Sequence, residues 1–180
     1  MGFPGMGFPH APGTMDDLFL AVPLSEILSI SPGFTAPVPL TLLDAIAASG
    51  WLAASSAIAE DPTAVVVELA VLVVQPGTGC WWCRSDGRLV EAAPITDGDL
   101  ALGEGLSALR ATARNRSGIR AVELAGVVID TSTARRKAIL IYRAQAETVS
   151  GAAGSWVSPA SVAQVTRDPL SSVVLQGLAQ

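Results

Sequence analysis

From Val65 to Val74 the chain runs Val-Val-Val-Glu-Leu-Ala-Val-Leu-Val-Val, a stretch dominated by β-branched side chains and interrupted by a single charge, Glu68. Two heavy atoms on Cβ restrict a side chain in a helix but pack well on a pleated surface, so this run reads as a strand. It ends at the turn Gln75-Pro76-Gly77. Beyond it, Cys80 to Arg84 and Arg88 to Val90 read as a hairpin about Asp86-Gly87, which makes a meander.

A chain of 180 residues is long enough for one compact domain with a full core, with residues left over for an arm or accessory segment. Half of the residues are hydrophobic and 15% are charged, with acids and bases mixed along the length, which argues against disorder over most of it. The longest apolar runs are too short to cross a bilayer, and no basic residue precedes an apolar stretch at the N-terminus. A cytoplasmic location is the expectation. The net charge of -5 gives no general attraction for nucleic acid or anionic lipid.

Residues 1–14 hold two Gly-Phe-Pro units, with Phe3 and Phe8, and close on Pro12-Gly13. Proline removes backbone donors and glycine raises chain entropy, so this piece reads as a free or docking arm. A protein partner or a second copy of the chain is the expected contact for Phe3 and Phe8. Residues 15–61 form an accessory segment. A short strand is predicted over Phe19 to Val22, a helical turn from Pro23, and a helix from about Thr41 that Gly50 interrupts. The helical reading resumes from Ala53 to Ala59 and stops before Asp61-Pro62, because proline disfavours helical geometry in its predecessor.

Residues 62–180 form the main domain. After the meander come a loop rich in Asp and Gly, a helix from about Glu104 to Arg116 closed by Ser117-Gly118, and strands over Val122 to Asp130 and Lys137 to Ala144. The step Trp156-Val157-Ser158-Pro159 leads to a short helix and a last one from about Pro169 to Leu178.

This order resembles the Nudix hydrolase superfamily over roughly residues 62–178, which implies an α/β/α sandwich with a mixed sheet, preceded here by the N-terminal segment and the arm. The family's motif begins with a glycine followed after five residues by a glutamate, as Gly98 is by Glu104, and closes on a glycine and a hydrophobic residue, as Gly118-Ile119 do. Between these ends the chain is one residue short of the family spacing. With Gly118 as anchor, the family's arginine and three glutamates fall on Ala111, Thr112, Asn115 and Arg116. With Leu109-Arg110 as anchor, the glutamates fall on Ala111, Arg114 and Asn115. Neither register leaves an acid there.

The glutamates matter because pyrophosphate hydrolysis needs hard cations, and Mg²⁺ is held by carboxylate oxygens. Here the helix offers Arg110, Arg114 and Arg116, which repel Mg²⁺. The resemblance thus implies a Nudix fold without ordinary Nudix catalysis: a ligand-binding or interaction module that needs no cofactor. The alternative is a divergent hydrolase acting on nucleoside diphosphate derivatives, with Glu104 as catalytic candidate and Asp97, Asp99, Glu104 and Glu123 as candidate ligands for Mg²⁺ or Mn²⁺. The three arginines read as a solvated surface or as an anion clamp for a phosphate-bearing small molecule. Arg135-Arg136-Lys137 is a basic loop, with a weak anion site as its other reading.

Trp81 and Trp82 are neighbours on a predicted strand, so one ring goes to each face, and one of them is a candidate ligand or partner contact. Cys80 and Cys83 read as packing residues, since a zinc ion needs four ligands and His10 is the one histidine. A zinc site shared across a dimer is the alternative. With one histidine there is no base for Ser-His or Cys-His chemistry, and no Gly-Lys-Ser/Thr phosphate loop occurs.

Overall fold

The computed structural model describes residues 17–100, 105–133, 135–149 and 153–179. Phe3, Phe8 and Glu104 therefore lie outside the described residues.

The Val-rich run is the long central strand. Strand β4 spans Ala64–Val74, and all but three of its residues are buried. Its parallel neighbour β8, Lys137–Gln145, is held over nine register pairs from Val66↔Lys137 to Val74↔Gln145. Strand β7, Arg120–Asp130, pairs antiparallel with β8. The mixed sheet grows outward from these three. On one side the edge strand β2, Gly33–Thr35, lies on β7. On the other, β1, Leu18–Pro23, pairs with the start of β4, and β3, Trp51–Ala54, pairs with β1. Segment 15–61 is thus woven into the same sheet as the main domain.

Alternation along the strands sends side chains to two faces, each with its own core. Val65, Val67 and Leu69 of β4 and Ala138, Leu140 and Tyr142 of β8 face one way. They are covered by α1, Leu40–Ser49, and α4, Gly105–Ser117, which supply Leu42, Leu109 and Ala113. Ala70, Leu72, Ile139, Ile141 and Val128 face the other way, under α6, Pro169–Leu178. Helix α6 starts sharply because Asp168 accepts from the amides of Leu170 and Ser171 while Pro169 opens the first turn.

Two predicted elements take another form. Trp51 to Ala54 is strand β3 rather than the resumption of a helix: Gly50 ends α1 in extended geometry, and the next four residues find hydrogen-bonding partners on β1. Only Ser55–Glu60 is helical, as α2. The hairpin about Asp86-Gly87 is just a turn. The amide of Arg84 donates to the carbonyl of Arg88 at 2.9 Å, and no ladder continues from it. Strand β5, Trp81–Arg84, instead pairs with β9, Gly154–Val157, and touches the end of β4. The next strand, β6, is the short Ala93–Pro94 beside Glu68 and Leu69.

Candidate functional site

Two places bring functional side chains together, one on each face of the sheet. The first is the junction between α4 and the acidic loop. Short helix α3, Asp97–Leu100, opens with a reciprocal cap: the Thr96 amide donates to Asp99 Oδ2 at 2.9 Å and the Asp99 amide donates to Thr96 Oγ1 at 3.3 Å. Helix α4 fastens this turn from above. Arg116 Nη2 donates to Asp99 Oδ2 at 2.6 Å and to the carbonyl oxygen of Pro94 at 2.9 Å. Thr112, 1% exposed, donates its hydroxyl to the Asp99 carbonyl at 3.3 Å.

The sequence candidates among the described residues are dispersed around this junction. Asp99 is committed to Arg116. Asp97 lies in the first turn of α3. Glu123 stands on β7 with its carboxylate 3.3 Å from Arg143 on the neighbouring strand, and both side chains are largely exposed. Among the described residues no three His, Cys, Asp or Glu side chains gather closely enough to hold a metal ion. Arg110 and Arg114 are exposed and share one helical stripe, as four-residue spacing requires, whereas Arg116 turns to the loop. Trp81 and Trp82 do go to opposite faces, Trp81 to the α6 side and Trp82 to a small cluster with Val73, Ile119 and Trp156. The rings of Trp82 and Trp156 meet edge to face at 5.3 Å. Both cysteines are free; Cys83 is buried, and burial pushes its thiol up.

The second place, on the α6 face, was not foreseen. A cavity of about 480 Å³ opens between the β4–β8–β7 surface and the start of α6, walled by Val128, Ile139, Leu170 and Val173. At its end sits the one charge of the Val-rich run. Glu68, 5% exposed, has Oε1 at 2.7 Å from Nζ of Lys137, the chain's only lysine. Lys137 is opposite Asp130 in the β7–β8 register, and Asp130 also lines the cavity. Glu68 and Lys137 form the wall of a second compartment of about 260 Å³ as well. That compartment in turn shares Ile58, Val66 and Arg135 with a third, of about 430 Å³. A trough therefore runs along this face from α2 to α6. Arg135 lines two of the compartments and reaches Ser55 Oγ at 3.3 Å. The sequence held only half of the signal: a lone carboxylate inside an apolar strand needs a partner, but nothing local says that the lone lysine is that partner.

No family model matches the chain, and no curated protein is significantly similar to it. Among the described residues no helix is long and apolar enough to cross a membrane. Solved structures do match. The chain superposes on Tm1382, whose assignment as a Nudix hydrolase is itself provisional, with a TM-score of 0.69 at 14% identity, over 89% of this chain and 97% of that one. A weaker likeness is to an oxidoreductase (SMa0793), also provisionally assigned, from Sinorhizobium meliloti 1021, with a TM-score of 0.44 at 17% identity, over 69% of this chain and 40% of the other; it carries no argument. At such identity likeness speaks for architecture alone: the chain has a Nudix-like fold, a mixed sheet between helical layers.

Proposed function

We propose that this chain is a Nudix-fold binding module that holds a ligand or partner without hydrolysing a pyrophosphate bond. One observation carries the reading. In the register anchored on Gly118, Thr112 and Arg116 stand where the family resemblance expects carboxylates, and both act as hydrogen-bond donors to loop oxygens. A catalytic glutamate at either position would set an acceptor against acceptors, tolerable only with a cation between them. Arg116 supplies that positive charge itself, through a planar guanidinium that suits two oxygen acceptors at once.

The test is an assay of the purified protein with Mg²⁺ or Mn²⁺ on nucleoside diphosphate sugars, dinucleoside polyphosphates and nucleoside triphosphates, alongside Glu104→Gln. The expected result is no metal-dependent cleavage by either protein. Metal-dependent turnover that the variant loses would overturn the proposal and assign Glu104 to catalysis.

A further inference from the structure

We infer that the cavity between β4, β8 and α6 is a binding site for a small organic cation, an amidinium or ammonium group carried on an apolar ring or short chain. The inference rests on the binding reading above and adds the chemical class of the ligand.

Three features of the cavity select that class. Its size, about 480 Å³, falls in the range of small-molecule pockets. Val128, Ile139, Leu170 and Val173 give it an apolar wall that favours a hydrocarbon or aromatic body. Its charged lining is Glu68, Asp130 and Lys137, two carboxylates against one ammonium, so the cavity is one positive charge short of balance.

Glu68 is the decisive residue. A carboxylate has about four lone-pair sites, and a buried one is costly unless they are used. Among the described residues Lys137 is the only partner of Glu68, through Oε1. Oε2 has no partner among the described residues, and Glu68 lines both this cavity and the neighbouring compartment. Asp130 turns Oδ1 back to the Ser132 amide and hydroxyl at 2.8 and 2.6 Å, which leaves its second oxygen for another donor. Lys137 cannot serve both acids fully: its ammonium is paired with Glu68, and no ion pair joins it to Asp130. The arginines do not close the deficit either. Arg136 lines a more distant compartment, and Arg135, which shares the second compartment with Glu68, forms no ion pair with Glu68 or Asp130 among the described residues and donates to Ser55. A planar cation with several N–H donors meets Oε2 of Glu68 and the rim carboxylate while its ring lies on the β4–β8 surface.

The probes are benzamidine and benzoate, the same ring with opposite charge, titrated into the full-length ¹⁵N-labelled protein. Benzamidine should shift amides of Val128, Ile139 and Leu170 saturably, and benzoate should not. Glu68→Gln should weaken benzamidine about tenfold or more, the scale of one charged hydrogen bond. If that variant does not fold, Asp130→Asn at the half-buried rim carries the test, with a smaller loss expected. Benzoate bound in preference, or neither compound shifting the cavity amides, would overturn the inference. The pyrophosphatase assay separates the two claims: turnover sinks the binding reading whatever benzamidine does, while an inactive protein that takes benzoate sinks the cation site alone.

Discussion

Tyr142 is buried to the last atom beneath α4, and its hydroxyl has no hydrogen-bond partner among the described residues. Burial pushes the phenol far above its ordinary range, partly offset by the charge of Arg110. The unfolded chain releases this proton near pH ~10, whereas the folded chain keeps it. Stability from this residue is therefore intact below that pH and falls as pH rises through and beyond it. Tyr142→Phe keeps the ring and removes the unpaired hydroxyl, so the variant should be about 1 kcal/mol more stable at neutral pH. Its urea midpoint should also fall less steeply than the wild type's between pH 9 and pH 11, the range to scan. A variant less stable than the wild type would mean that the hydroxyl has a partner after all.

Beyond its ladder to β7, the edge strand β2 is pinned by one ring. Phe34 lies between Gly126 on β7 and Gly177 on α6, where an added Cβ would fall 2.4 Å and 2.1 Å from its atoms. Alanine in place of a helical glycine ordinarily stabilises by about 1 kcal/mol. Overpacking against the rigid base of Phe34 costs roughly 1–3 kcal/mol and should win. Gly177→Ala is thus expected to lower stability and to speed amide exchange in Gly33–Thr35, measurable by urea unfolding and hydrogen exchange.

Elements of this kind mark the limit of what a sequence reveals. The long strands β4, β7 and β8 and helices α1, α4 and α6 were readable because their patterns run for nine residues or more. Strands β2 and β3 have three and four residues and no alternation to detect, and their existence depends on a distant partner. The same holds for the sites. The absence of acids from α4 was legible, because it is a local fact of one helix. The Glu68–Lys137 pair was not, because only the parallel register of β4 and β8 brings two isolated charges together.

At the scale of the molecule, the N-terminal third is part of the core. Leu20, Val22, Ile27, Ile30, Val38 and Leu42 are all buried in the cluster under α1 and α4. At about 1.5–3 kcal/mol for each buried side chain, their removal costs on the order of 10 kcal/mol. That is comparable to the whole stability of a typical domain. A fragment beginning at Pro62 should therefore fail to fold and should aggregate, with the edge of β4 that pairs with β1 laid bare. Size-exclusion chromatography and near-ultraviolet circular dichroism of the fragment check this. The Arg116 clasp has a consequence on the same scale. A free cation comes and goes with its supply and can be stripped away by a chelator, but a guanidinium tethered by its own backbone cannot. The turn at Thr96–Asp99 should therefore keep its amide protection in EDTA and lose some of it only as salt screens the Arg116–Asp99 pair, an outcome that hydrogen exchange with and without chelator checks.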